Sequence, residues 1–555
     1  MSNTFHRTVL SLAAAAVVML TIPGCQDVPP EDGFYELRVP QEKLRQIEPL
    51  DLSRTKQAPP AEAPVYAVAE PEMDVTLEQA RALAMENNLD LKVQLLAPTI
   101  AEESLSAEEA KFESVFFTNV NFLRSDQPVG TMAEIPGTGI FVPTVVGAQR
   151  EHTNEDFGVQ VPLQTGGTIT FDMADSRTQD LTSGNPVSYE NSLAVSISQP
   201  LLRNAGRRVT MHSIRLAQYD KQIADNATKL EVIRVVAAAD RAYWRLYAAR
   251  RELEVRKQQH DLAQAQLERA RRFVAAGTQA EVEIVRAEAG VARGIAAIIT
   301  AENALRDRQR EFKRIINKPG LTIDTPTVMI PATEPDPVRY QFDPNELCGR
   351  AVANRWDLLE LELQLARDAS TIDYLHNQTL PLVNLDYTYN IAGVGNTRYD
   401  SLDMLEDKNF ENHRLGVRLV VPLGNEAATS RLRAALYQRR QRLAGRESRR
   451  QLVQQEVLNA VDQVEANWQQ IMASRQTTLL ESRLHQAEIR QFEVGVRTST
   501  DVFDAQTRLA DAQSLEIAAL TNYQISLVDL AYATGTLLGA AKVDWEPLRP
   551  PLRTQ

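Results

Sequence analysis

The stretch "FEVGVRTSTDVFDAQ", residues 492–506, decides how this chain is read. It lies inside a run without proline from Pro422 to Pro547, and apolar residues step through that run by three and four: Val453, Val457, Ala460, Val464, Trp468, Ile471. Proline is the strongest helix breaker and this spacing is the helical period, so the run is helix. Gly495 interrupts it. A glycine followed by Thr498, Ser499 and the acidic turn at Asp501 and Asp504 is a stop and a restart, so the run is a hairpin of two helices folded at its glycine. The pattern occurs twice. "FVAAGTQAEVEIVRAE", residues 273–288, places Gly277 and Glu283 where Gly495 and Asp501 stand, inside a second proline-free run from Pro200 to Pro319 with Val232, Val236, Ala239, Tyr243, Leu246 and Leu253 in step.

Duplication extends beyond the hairpins. "TLEQARALAMENNLDLKVQLL" (76–96) opens with Thr76 at a helix cap and Glu78 in the first turn, and a related phrase returns as "NELCGRAVANRWDLLELELQL" (345–365). Short segments alternating with period two follow each opening helix. They are "FFTNVNF" (116–122) and "LAVSISQPLL" (193–202) in the first half, "LVNLDYTYNI" (382–391) and "LGVRLVVPL" (415–423) in the second. Such alternation marks strands with two unlike faces. The first half carries a further pair, "FGVQVPL" and "TITFDM", around the hairpin turn "QTGG" (164–167). The expected organisation is a signal segment (1–24), a tether rich in Pro, Glu and Gln (25–73), a first repeat (74–330), a linker (331–343), a second repeat (344–540) and a tail (541–555). Each long helix, flanked by the two shorter ones of its repeat, predicts a column roughly 100 Å tall.

Composition agrees with a helical, non-catalytic chain. Of 555 residues 43% are hydrophobic and only 6% aromatic, and the net charge of −13 opposes a general nucleic-acid binder. There is no phosphate-cradling loop, G-x-S-x-G or H-E-x-x-H motif, and the seven histidines show no metal-ligand spacing, so neither an enzyme nor a metal cofactor is expected. The start, "HRTVLSLAAAAVVMLTIPGC", is a basic residue, an apolar run too short for a confident span, and a cysteine. "IPGC" resembles a bacterial lipoprotein signal, which makes Cys25 the acylated first residue and its covalent lipid the one non-protein group expected; an ordinary signal peptide cut near here is the other reading. No later apolar run reaches membrane-helix length, so any crossing is by β-barrel.

On "TLEQARALAMENNLDL", "SISQPLLRNAG", "AAGTQAEVEIVRAE" and "VGVRTSTDVFDAQTRL", in order within a duplicated frame, residues 74–540 resemble the TolC-type outer-membrane efflux family, its lipidated OprM-like members in particular. The resemblance implies a mainly α fold with a β-barrel part, about four transmembrane strands per chain, closed by trimerisation. It implies a lipid-anchored homotrimer in outer-membrane lipid, extending into the periplasm. There it would work with a periplasmic adaptor and an inner-membrane pump, or in type I secretion. It makes Asp501 and Asp504 the periplasmic gate pair. Arg497 becomes the arginine tying neighbouring helices, with Glu283 as its acidic partner, and Phe492 stands where relatives carry tyrosine. Gly277, Thr278, Gly495, Val496 and Thr498 become the tip that meets the adaptor. Without the resemblance, two acids after "RTST" also serve as plain helix caps. A lipid-anchored, periplasm-spanning coiled coil without a pore is the rival function. The six arginines of 439–450 read as an ion-pair or solvated face.

Overall fold

The computed structural model describes residues 71–182, 185–408 and 410–542. The signal segment, Cys25, the tether up to residue 70 and residues 543–555 lie outside the described residues. The first repeat runs β1 (Glu72–Val75), α1 (Leu77–Asn87), α2 (Leu89–Glu109), β2 (Val115–Glu134), β3 (Phe141–Pro162), β4 (Thr168–Asp180), β5 (Ser188–Pro200), α3 (His212–Ala275), α4 (Val282–Ile316) and β6 (Val328–Pro331). The second runs α5 (Pro344–Asn354), α6 (Trp356–Gln378), β7 (Leu382–Gly395), α7 (Arg398–Glu406), β8 (Glu411–Val420), α8 (Glu426–Glu493) and α9 (Ser499–Ala533).

The long helices α3 and α8 have 64 and 68 residues, about 100 Å each at ~1.5 Å per residue. Their apolar stripes are the buried faces: Val232, Val236, Ala239, Tyr243 and Leu246 on α3, and Val453, Val457 and Ile471 on α8. Helix α3 packs against α1, α2 and α4, as α8 does against α5, α6 and α9. Tyr243 anchors the first repeat. Its ring meets Trp244 and Phe312 edge-on at 5.4 and 6.2 Å, and its hydroxyl donates to the Val75 carbonyl (3.2 Å) and accepts from the Thr333 N–H (2.8 Å). The parallel pair β1–β6 is thereby tied to α3. Strands of four residues carry too little alternation to be seen in sequence.

Each opening helix is broken at one residue, which the sequence reading ran through. Asn88 is extended (ψ 128°), accepts from the Leu91 N–H and donates to the Ile315 carbonyl, so it ends α1 and caps α2. Arg355, the equivalent position of the second repeat, is likewise extended (ψ 125°).

Among the described residues the large sheet has six strands, ordered β2-β3-β4-β5-β7-β8 and antiparallel throughout. Each of the six overlaps a segment read as a strand in the sequence, the four alternating ones and the pair around "QTGG", but β2 and β3 run much further than those segments. Pro128 and Pro143 disguised them. Pro128 lies on the sheet's edge strand, and Pro143 lies beyond Arg150, where β3 loses β4 as a neighbour. Each proline therefore stands where one side of its strand is unpaired, as the missing N–H requires. The "QTGG" turn closes as expected, with Leu163 N–H to the Gly167 carbonyl at 2.8 Å and Gly166 at φ +93°. A Cβ at Gly166 would lie 2.2 Å from the Asn204 carbonyl oxygen, so glycine is required on both counts.

Candidate functional site at the helical tips

Both hairpins turn by the same hydrogen-bond pattern. Thr278 N–H reaches the Phe273 carbonyl (3.0 Å) and Gly277 N–H that of Val274 (2.9 Å); Val496 N–H reaches Gln491 (3.0 Å) and Gly495 N–H Phe492 (3.0 Å). The glycines adopt φ +73° and +78°, the left-handed cap that lets a helix close its last carbonyls. Helix α9 then restarts with a capping box. The Asp501 carboxylate accepts from the Thr498 N–H (2.9 Å) and hydroxyl (2.8 Å), while Thr498 Oγ1 accepts from the Asp501 N–H. Those Thr498 bonds hold the Asp501 carboxyl below its ordinary pKa. The capping reading is thus realised at Asp501. Asp504, one turn on, is exposed and makes no ion pair within the chain among the described residues.

The two tips pack side by side. Phe273 and Phe492 sit 5.9 Å apart between ring centres, and Phe503 enters a cluster with Ala263, Ala270 and Ala287. A Cβ at Gly290 would meet the Phe503 ring at 2.7 Å; glycine permits this contact. Phe492 is fully buried. It packs within the chain, where an apolar ring with an aromatic neighbour gains more than it would in water.

Arg497 has partners within its own chain. Its Nε lies 3.3 Å from Glu488 Oε2 and donates to Gln491 Oε1 at 3.1 Å. Within the chain its acidic partner is Glu488, on its own hairpin. Glu283 is committed elsewhere: Oε2 accepts from the Ser499 N–H at 2.9 Å, and Oε1 pairs with Arg286. Burial opposes ionisation of Glu283, but the Ser499 bond and Arg286 outweigh it and hold the carboxyl below its ordinary range. A carboxylate of the first repeat thus sits on the first backbone N–H of the second repeat's helix α9, at its positive end. In the sequence Ser499 read only as part of the helix restart, and Glu488 was not singled out. The signal for Glu488 was its place on the buried stripe of α8 with His485 and Phe492, where an acid calls for a partner.

Gly277, Thr278, Gly495, Val496 and Thr498 are all exposed, and Val494, Val496, Val282 and Val285 leave apolar surface around them. This is the end of the helices that presents bare backbone turns and valines together. The arginine run lies elsewhere on α8. Arg442 pairs with Asp368 (3.2 Å) and Arg449 with Asp357 (2.6 Å), Arg439 donates to the Leu365 carbonyl, and Arg440 stacks on Tyr437.

Residues 166–318 and 347–536 match the family model described as outer membrane efflux protein. Outer membrane protein TolC of Vibrio cholerae serotype O1 is 25% identical over 387 residues, 68% of this chain and 82% of that protein. The solved outer-membrane channel OprN superposes with a TM-score of 0.60 at 15% identity, covering 83% of this chain and 90% of its own. The Campylobacter jejuni CmeC outer membrane channel does so at 0.60 and 13%, covering 83% and 86%.

Proposed function

Since the chain belongs to the outer membrane efflux protein family, we propose that it is a passive exit duct: a lipid-anchored homotrimer whose barrel crosses the outer membrane and whose helices form a periplasmic tunnel. One observation carries the reading. The sheet ends in two open edges, β2 and β8, and one of its faces is exposed and apolar, with Phe171, Leu193 and Ile197 uncovered. In lipid each unpaired backbone group costs several kcal/mol, so such a sheet is stable only when copies close it. Strand β8 of one copy and β2 of the next run antiparallel, so the meander continues around a ring.

The helical tips would meet a periplasmic adaptor through Gly277, Thr278, Gly495, Val496 and Thr498, and the pump behind it supplies the energy. We place the gate at the same tips. The Glu283–Ser499 tie fixes one hairpin to the other, Arg497 is held by Glu488, and Asp501 and Asp504 from three chains ring the lumen. Cys25 carries the lipid. The protein solubilised in detergent should have the mass of three chains by light scattering, and Cys25→Ser behind a cleavable signal should stay in the membrane, because the barrel has its own apolar band. A monomer, or a Cys25→Ser protein found free in the periplasm, would overturn the barrel.

A further inference from the structure

The extra pair of strands makes the barrel, and the channel mouth, wider. We propose that all six strands of each chain face lipid, so that three chains close an eighteen-stranded barrel in place of the twelve strands that four per chain would supply; this rests on the trimeric-channel reading above. Cross-strand partners share a face. One cross-strand row reads Phe116, Val159, Phe171, Val195, Tyr389 and His413 from β2 to β8. The neighbouring row on the opposite face reads Val115, Gln160, Thr170, Ser196, Thr388 and Arg414 from β2 to β8. One side of the sheet is mainly apolar and the other mainly polar, and β3 and β4 obey the division as β5 and β7 do; the two rows break it at their ends, at His413 of β8 and Val115 of β2. Phe157 of β3 and Phe171 of β4 are exposed on the apolar side, as Phe116 and Phe122 of β2 are. A pair of strands lying in water would have no reason to keep its phenylalanines there.

The apolar segments also drift in register as inclined staves should. On β2 they centre near Val120, on β4 at Phe171 with its partners Val159 and Val195, and on β8 at Val417, whose β7 partner is Leu385. Traced through the pairing, the centre slides by eight residues over the five strand-to-strand steps. At ~3.3 Å per residue and ~4.8 Å per step this is an inclination of ~48°, near the ~45° tilt of membrane barrels. The upper limit of the band is shared too. Arg398 of α7 pairs with Asp175 of β4 at 2.7 Å and reaches Glu155 of β3 at 3.6 Å, so a charged belt begins just beyond the apolar rows on both strands. At this tilt and spacing, eighteen strands enclose a backbone diameter of ~39 Å against ~26 Å for twelve. The cross-section is about doubled, which fits export of bulkier solutes or folded polypeptide segments.

Single tryptophans report the lipid contact directly. Phe116→Trp, Phe157→Trp, Phe171→Trp, Leu193→Trp and Val417→Trp would each be placed in the full-length protein, checked for trimer mass, and reconstituted in vesicles of brominated phosphatidylcholine, with the signal of the native tryptophans subtracted. Positions 116, 157 and 171 should be quenched to within twofold of 193 and 417. Quenching at 116, 193 and 417 with none at 157 and 171 would put the extra pair, β3 and β4, outside the membrane and overturn the proposal. Absence of quenching at all five positions in an assembled trimer would instead overturn the barrel reading itself. Phe171 and Phe157 lie on adjacent strands, so either keeps the test open if the other variant fails to assemble.

Discussion

Glu283→Gln removes one charge and keeps the shape, which isolates what the carboxylate does for the Ser499 N–H. A hydrogen bond to a charged group contributes ~1.5–3 kcal/mol and a neutral one ~1 kcal/mol; the charge at the first turn of α9 adds ~0.3–1 kcal/mol. The Glu283 side chain is only 10% exposed, so water does little to screen the loss. Its second partner, Arg286, is 43% exposed and the pair with it is worth ~0–1 kcal/mol. The substitution should therefore cost roughly 1–2 kcal/mol per chain. If three copies act on one opening equilibrium, the tips loosen by ~3–6 kcal/mol, a factor of about 10²–10⁴. In planar bilayers the variant should show longer and larger openings than the wild type, and cells carrying it should leak antibiotics inward while trimer yield is unchanged. Glu283→Ala should go further, having no acceptor. Conductance equal to wild type for both variants, in fully assembled trimers, would refute the tie as a gate element.

Two further outcomes follow from the charges. Asp240 is fully buried and held by both nitrogens of the Arg81 fork at 2.7 and 2.9 Å; Arg81→Met leaves it uncompensated and should cost ~3–5 kcal/mol, read as a lower thermal midpoint, with Arg81→Lys a poor rescue because a point charge cannot make the fork. Glu283 and Asp501 both have folded pKa values depressed below their unfolded ones, so their contribution is present at neutral pH and is lost as pH falls through about 4 and below. Hydrogen exchange at the tips should accelerate in that window; a step at pH 6–7 instead would assign the effect to a histidine.

The repeat and its hairpins were legible because helix period, missing proline and a capping glycine all act locally, within a few residues of Gly277 and Gly495. Strands β2 and β3 were legible only in part. Pro128 and Pro143 break the local pattern, and only the pairing shows that each occupies an unpaired strand side. The breaks at Asn88 and Arg355 depend on contacts far along the chain, such as the Asn88 bond to Ile315. At the tips, the residue types were readable but their partners were not. Position matched Arg497 with Glu283, whereas packing gives Glu488 to Arg497 and Ser499 to Glu283. The cap at Asp501 was readable because a capping box needs only three residues of spacing.

The central claim is that this chain makes a pore whose narrow end is acidic. The direct measurement is current through the purified trimer in a planar bilayer under a salt gradient, for wild type and for the Asp501→Ala, Asp504→Ala double variant. Carboxylate rings at a constriction attract cations, so the wild type should give discrete conductance steps with a reversal potential on the cation side, and the double variant should keep the steps and lose most of that shift. Equal reversal potentials would reduce both aspartates to helix caps. An assembled trimer that passes no current under any applied voltage, with the tips loosened by Glu283→Ala, would contradict the account and leave a lipid-anchored helical scaffold without a pore.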